Sequence, residues 1–379
     1  MNIALTGARV FDGAMIVDGH SLVIAGKKIA ALVPDGDVPS DAAVRRVEGL
    51  LAPGFIDVQV NGGGGVLFND QRTAAGIAAI AAAHRPFGTT GIMPTLITDT
   101  RAHMAEAIGA ARDALAAHVP GALGIHIEGP FLSPERKGVH DKRLFRDIEE
   151  EDIALVTSLR AGRTLMTLAP ERVPLEAIAR LTAAGVIVAA GHTAASYETV
   201  KAARAAGLAG FTHLFNAMPP LAGRAPGPVG AAMEDPQAFV GIIADLFHVS
   251  AASLRVAIAA HGWQRMVLVT DAMPSVGSDL TEFLIDGNVI IRKDGTLLRG
   301  DGTIAGSALA MATAVRNCVE ALGLPLEAAL AMASRAPAEY LRLDRELGRI
   351  APGFRADLVL LDDDLEVVDT WIDGVAAGN

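Results

Sequence analysis

Eight short apolar runs, with helical patterns between most of them, constrain the fold of this chain more than any other feature. They are "FIDVQV" (55–60), "GIMPTLIT" (91–98), "ALGIHIEG" (122–129), "TLMTLAP" (164–170), "VIVAAGHT" (186–193), "GFTHLFNAM" (210–218), "VGIIADLFHV" (240–249) and "MVLVTDAM" (266–273). Near-continuous apolar runs suit parallel strands covered on both faces. Intervening stretches such as "RAHMAEAIGAARDALAAH" and "SYETVKAARAAG" carry apolar residues at helical spacing. Eight strands in this order predict an α/β fold, a (β/α)8 barrel. A doubly wound sheet is the alternative. No G-x-G-x-x-G follows the first run, which counts against a dinucleotide-binding version of it.

The two ends have another texture. Residues 1–50 and 346–379 alternate apolar and polar positions between turn residues, as in "HSLVIAGKKIAALVP" and "ADLVLLDDDLEVVDTWIDG". We expect them to build one small β-sandwich domain from both termini, around a barrel spanning 51–345. The stretch "TEFLIDGNVIIRKDGTLLRGDGTIAGS" (281–307), with its Asp-Gly turns, predicts a β insertion before the last helices.

The 379 residues, 51% of them hydrophobic, suffice for such a core. Mean hydropathy is +0.37, but Gly, Pro or charge interrupts every apolar stretch before membrane-spanning length, so the value reads as an alanine-rich interior. A net charge of -11 without a Lys/Arg-rich run argues against nucleic acid as a partner. The segment "MNIALTGARVFDG" lacks a basic n-region and an apolar h-region, so a cytoplasmic protein is expected. The single cysteine, Cys318, excludes an intrachain disulfide framework and a cysteine-based zinc site.

Barrel active sites stand at the C-terminal ends of the strands. There the runs place His126, Glu128, His192, His213, Asn216, His248 and Asp271. Taken singly, a histidine at a strand end reads more readily as a hydrogen-bonded structural residue, and Glu128 before Gly129-Pro130 as a turn acceptor. Jointly, Glu128, His192 and His213 offer one oxygen and two nitrogens from separate strands, the three protein ligands of a catalytic zinc site with an open position. Asp271 is then the carboxylate that takes a proton from a metal-activated water and passes it to the leaving group. The set predicts metal-assisted hydrolysis of a C–N or ester bond. The donors suit zinc, with iron, cobalt or manganese as alternatives. His126 reads as a structural or supporting residue.

Longer motifs carry a resemblance. "APGFIDVQVNGGGG", "GIHIEGPFLSPERKGVH", "GHTAASYE", "THLFNAMPPLAGRAPG", "LVTDAM" and "LGRIAPGFRADLVLLD" resemble, over essentially the whole chain, the amidohydrolase superfamily and within it the N-acetylglucosamine-6-phosphate deacetylases. The resemblance implies hydrolysis of N-acetyl-D-glucosamine 6-phosphate to D-glucosamine 6-phosphate and acetate. It implies a metal on Glu128, His192 and His213, with Asp271 as general base and acid and His140 holding the substrate and polarising its carbonyl. It implies substrate contacts from Val139, Asn216, Ala217, Arg224, His248 and the strand Ile304, Ala305, Gly306. It also implies a homodimer in which Arg224 reaches the neighbouring subunit's site. Read from the residues alone, Arg224 in its Pro/Gly-rich loop is a solvated loop cation, and Arg136 and Lys137 before His140 read equally as solvated loop cations or as positive potential for an anionic substrate. In one place the chain departs from the relatives: Leu246 follows Asp245 where the resemblance implies glycine, so Leu246 and Phe247 are expected to alter the pocket wall beside His248.

Three rival readings differ in kind. A deacetylase of N-acetylgalactosamine 6-phosphate needs the same metal and the same phosphate clamp and differs at one hydroxyl. A cyclic-amide hydrolase of the superfamily places His-x-His on the first strand and often a carboxylated lysine later; here the first strand has Gln59-x-Asn61, and no predicted fourth or fifth strand ends in lysine. A barrel kept only for binding would be expected to have lost part of the Glu128, His192, His213 and Asp271 set.

The amides carry one further expectation. A neutral amide oxygen binds a transition metal poorly, so Gln59 and Asn61 predict one metal per subunit and hydrogen bonds from these side chains to the ligands or their water. The glycines Gly62 to Gly65 predict a tight turn passing close to the pocket.

Overall fold

A computed structural model describes residues 2–378. Eight parallel strands form the central sheet: β1 (Phe55–Val60), β2 (Thr89–Ile97), β3 (Gly124–Glu128), β4 (Arg163–Leu168), β5 (Ile187–Ala190), β6 (Gly210–Phe211), β7 (Phe239–Ile242) and β8 (Met266–Leu268). Each pairs with the next in chain order. The barrel closes just beyond β8, where Asp271 N–H donates to the Gln59 carbonyl (3.0 Å) and Asn61 N–H to that of Ala272 (2.9 Å). Every residue of β1, β2 and β3 is buried, as strands roofed by helices require. The first helix is α1 (Ala74–His84). It is entered through Thr73, and the helices at 101–116, 197–205 and 251–261 through Thr100, Ser196 and Ser250. Each of these side chains accepts the N–H three residues on, which satisfies an orphan donor of the first turn.

A four-stranded and a six-stranded sheet form the sandwich at the chain ends. In the six-stranded sheet Leu50–Pro53 lies between Arg9–Phe11 and Leu358–Leu361, with Leu51 opposite Leu360. Leu5, Leu22 and Ile24 from the first end share a core with Leu358, Leu360 and Trp371 from the last. The insertion is a four-stranded antiparallel sheet. Its last strand, Ile304–Ser307, lies beside the Asp271 segment, with Ser307 N–H donating to the Asp271 carbonyl (2.9 Å).

The barrel strands are shorter at their C-terminal ends than the apolar runs. The run at 210–218 is strand only over Gly210–Phe211, and β7 stops six residues before His248. The reason is conformational. His192 (φ 46°), His213 (φ 31°), Phe215 (φ 77°), Ala217 (φ 51°) and Asp271 (φ 52°) are left-handed, which ends the extended chain. Non-glycine residues held there store on the order of 1–3 kcal/mol each and gather at functional sites.

Asp57 joins the first strand to the last. Its Oδ2 accepts from Thr270 Oγ1 (2.5 Å), and its Oδ1 from the N–H groups of Gln59 (3.2 Å) and Thr270 (3.3 Å). Burial pushes its carboxyl up to about 7, against those hydrogen bonds. A folded-state value above the ordinary 3.8 means that the native state keeps the proton. The associated stability is complete below about pH 4 and is lost as pH rises through about 7. Asp57→Asn, which cannot ionise, is therefore expected to show a smaller fall in Tm between pH 4.5 and 8 than the parent protein. Equal falls in thermal melts would remove Asp57 as the cause.

Candidate active site

Glu128 ends β3, His192 lies two residues past β5, His213 two past β6 and Asp271 three past β8. Their tips converge. His213 Nε2 lies 3.1 Å from Glu128 Oε1 and 3.1 Å from His192 Nε2, and His192 Nε2 lies 3.4 Å from Glu128 Oε1. A tetrahedral ion with ligands at about 2.0–2.2 Å needs donor spacings of about 3.3–3.6 Å, so the three donors fit a divalent ion nearly as they stand. His192 Nδ1–H donates to the Arg136 carbonyl (2.8 Å), which leaves the Nε2 lone pair facing the cluster. Burial alone would raise the Glu128 carboxyl, but the hydrogen bonds and charges of His192 and His213 hold it well below the usual range. Burial opposes protonation of His213, yet its contact with Glu128 moves it up.

His140 offers a second possible third ligand, since its ring joins Glu128 and His192 in a group of potential donors within 4.8 Å of one another. Its hydrogen bonding argues for another role. His140 Nδ1 accepts the backbone N–H of Thr98 (3.3 Å) and lies 2.8 Å from Thr98 Oγ1. An amide can only donate, so the ring proton sits on Nε2, which becomes a donor rather than a ligand. Burial, then the charge of His192, holds the His140 imidazole well below its ordinary range and therefore neutral.

Gln59 bridges the two acids, with Nε2 donating to Glu128 Oε1 (3.1 Å) and Asp271 Oδ1 (3.2 Å), while Asn61 Nδ2 donates to Asp271 Oδ1 (2.6 Å). Burial, then the charge of Glu128, pushes the Asp271 carboxyl up to about 6, against the pull of His213, His248 and Asn61. His126 lies beneath the cluster between Thr95 Oγ1 (3.1 Å) and Thr167 Oγ1 (2.8 Å), and burial pushes it down to about 4. It is a satisfied core imidazole.

Asn61, Glu128, His140, His192, His213 and Asp271 open into a cavity of about 380 Å³ that also takes in Val139, Asn216, Ala217, His248, Ile304, Gly306, Glu135 and Arg136. His248 Nδ1 is tied to Asp245 Oδ2 (2.6 Å), whose other oxygen accepts the N–H groups of Phe247 and His248 (both 2.9 Å). Three expected residues stand elsewhere. Ala305 packs its side chain under the insertion with Leu67, Met273 and Ile285, because alternate residues of a strand face opposite ways. Arg224 is exposed, off the cavity of its own chain. Phe247 is 53% exposed and leans toward the insertion turn, where a Cβ on Gly295 would meet its ring at 3.3 Å. Phe247 thus borders a separate cavity of about 650 Å³ rather than the one holding the histidines. Leu246 is left-handed (φ 68°), a conformation that glycine adopts without strain.

The glycine turn also differs from expectation. None of Gly62–Gly65 lines the histidine cavity. Gly63 and Gly64 press on α1 instead: a Cβ on Gly64 would lie 3.1 Å from Ala83 Cβ, and one on Gly63 would lie 2.8 Å from His84 Nε2, the atom that donates to the Gly62 carbonyl (2.9 Å). Thr98 and Asp245, neither of them a site candidate in the sequence, orient His140 and His248. Thr98 stands just past β2, where the strand-end rule would have found it.

Gly138 is where the backbone meets a candidate ligand, His192. It is left-handed (φ 55°), and a Cβ there would sit 3.1 Å from His192 Cε1. Gly138→Ala is expected to push His192 off its position and weaken metal binding about tenfold, the scale of a lost supporting interaction. Metal titration checks this; unchanged affinity would show that the loop yields freely.

The chain belongs to the amidohydrolase family, whose sequence profile matches residues 50–377. Residues 3–51 match the NagA composite domain. Over 330 residues the chain is 46% identical to N-acetylgalactosamine-6-phosphate deacetylase of Shewanella sp. (strain ANA-3), covering 87% of this chain and 84% of that protein. It is 33% identical to N-acetylglucosamine-6-phosphate deacetylase of Haemophilus influenzae over 99% of both chains. The crystal structure of N-acetylglucosamine-6-phosphate deacetylase from Pasteurella multocida superposes with a TM-score of 0.96 at 33% identity, over 100% of both chains. Among the described residues no helix is long and apolar enough to cross a membrane.

Proposed function

We propose that this protein hydrolyses N-acetyl-D-glucosamine 6-phosphate to D-glucosamine 6-phosphate and acetate. The observation that carries the reading is the convergence of Glu128, His192 and His213 beside Asp271, in a chain that matches deacetylases of this name along its full length. Glu128, His192 and His213 hold one divalent ion, zinc first by donor chemistry, with iron, cobalt or manganese as alternatives. When bound, such an ion acidifies water and polarises a carbonyl.

The chain's own residues do the rest. Asp271 accepts the proton of the attacking water at the carboxylate that Asn61 and Gln59 hold in place, then delivers it to the departing sugar nitrogen. His140 donates from Nε2–H to the acetamide oxygen, where negative charge grows. Gln59 and Asn61 stand where superfamily relatives place a histidine pair, and both spend their N–H groups on the acids; this supports one ion per subunit. Asn216, Ala217, Val139, His248, Ile304 and Gly306 surround the sugar phosphate. Arg224, exposed on its loop, reaches the cavity of a second copy in a homodimer. An acidic surface and a single buried cysteine suit the cytoplasm.

Acetate release from N-acetylglucosamine 6-phosphate, with and without chelator and alongside metal analysis, tests the reading; no turnover by the metal-loaded protein would sink it. The Shewanella relative, at 46% identity, favours a second reading in which the galactosamine epimer is preferred. The ratio of kcat/KM for the two phosphosugars decides between them.

Arg224→Ala is expected to raise KM for the phosphorylated sugar about tenfold more than for unphosphorylated N-acetylglucosamine. Equal effects would take Arg224 out of the phosphate site. Coexpressing this variant with Asp271→Asn should restore activity, because a mixed dimer has one complete site. Absence of recovery would place Arg224 in its own subunit.

A further inference from the structure

The loop after β3 serves the site through its backbone as well as through the His140 side chain. Ser133 N–H donates to the His192 carbonyl (2.9 Å), and the Arg136 carbonyl accepts His192 Nδ1–H (2.8 Å). The next cation, Lys137, turns its Nζ back onto the Gly138 carbonyl (3.1 Å). The guanidinium of Arg136 does not turn back. It lines the histidine cavity, and its Nε is buried without a partner.

That arrangement is unusual even within this chain. Arg335 and Arg355 also bury an unbonded Nε. Arg335 compensates by donating from Nη1 to the Gly13 carbonyl (3.0 Å), and Arg355 from Nη2 to Asp357 Oδ2 (2.6 Å). Among the described residues Arg136 has no side-chain hydrogen bond and no ion pair, not even with neighbouring Glu135, which borders the same cavity. A half-buried cation without an anion is costly. A divalent ion on Glu128, His192 and His213 makes the surroundings more positive still. The missing partner is an anion that arrives with the substrate, and a planar guanidinium suits a phosphate, which it can grip through two parallel hydrogen bonds.

We infer that Arg136 contacts the phosphate of the substrate from within the subunit that supplies the metal ligands, so the phosphate clamp has a half that needs no partner chain. This rests on the phosphosugar reading above. The test uses the full-length, metal-loaded protein and its Arg136→Ala and Arg136→Lys variants. It compares acetate release from N-acetylglucosamine 6-phosphate and from N-acetylglucosamine, competitive inhibition by inorganic phosphate, and metal content.

Arg136→Ala should raise KM for the phosphorylated sugar about tenfold to a hundredfold, the range for a lost charge-assisted contact. The inhibition constant of inorganic phosphate should rise in parallel. The loss on the unphosphorylated sugar should be at least about tenfold smaller, and metal content should hold. Arg136→Lys, which keeps the charge but loses the fork, should fall between. Equal losses on both sugars, unchanged phosphate inhibition, or a fall in metal content with the activity would each overturn the inference. If the parent protein releases no acetate from either phosphosugar, the functional reading fails by itself. Calorimetric binding of inorganic phosphate still judges Arg136: weakened binding in Arg136→Ala supports the contact, and unchanged or absent binding overturns it.

Discussion

Asp271→Asn is expected to abolish acetate release while the metal stays bound. Asparagine keeps the shape of the side chain, and the three donors of the ion come from other strands, so the geometry survives. What disappears is the site that accepts the water's proton, and general acid–base steps contribute about a hundredfold to ten-thousandfold. A fall in kcat of about a thousandfold or more at unchanged metal content is the expected result. Loss of metal together with activity would make Asp271 a ligand instead. The pH profile adds a second reading. Burial beside Glu128 pushes the carboxyl up to about 6, and the charge of a bound ion pulls it back down. The parent kcat/KM should therefore decline with falling pH on a limb at or below pH 6, and residual activity in the variant should lack that limb.

His213→Ala and His140→Ala are expected to fail in different ways, and the contrast settles which histidine is the third ligand. Removing His213 takes away an Nε2 that lies 3.1 Å from both other donors. Metal affinity should fall beyond the roughly hundredfold that loss of a supporting residue alone can reach, and activity should fall with it. Removing His140 leaves the three donors untouched and deletes an N–H aimed at the cavity. Metal content should persist while kcat drops about a hundredfold to a thousandfold, the range for one lost donor to a developing oxyanion. Plasma emission analysis of the two purified variants measures the first quantity directly. Metal retained by His213→Ala and lost by His140→Ala would exchange the two roles.

Much of this site could be read from residue order because a barrel turns order into position. Once the runs at 122–129, 186–193, 210–218 and 266–273 are taken as strands, whatever polar residue stands at each end must lie on one rim. Glu128, His192, His213 and Asp271 follow from that rule. The rule is blind to where a strand stops. Phe211 to Met218 reads as one apolar run, yet the chain turns left-handed at His213, and propensity at single residues does not report such a turn. It is equally blind to pairs brought together across the barrel seam. Asn61 and Asp271 are 210 residues apart and touch at 2.6 Å.

Sequence alone determined the class of fold, the two-ended sandwich and which polar groups stand at the strand ends that form the rim. Hydrophobic periodicity and the chemistry of donor atoms are both local properties, and both are written residue by residue. Tertiary structure decided their roles. It put the Thr98 N–H on His140 Nδ1, making that ring a donor rather than a ligand. It turned Ala305 into the insertion's core, swung Phe247 toward the turn at Gly295, and packed Gly63 and Gly64 on α1. It also left Arg136 among buried groups with no anion of its own. Tautomers, unpaired charges and the direction of a side chain depend on what arrives from distant segments, and no local pattern records that.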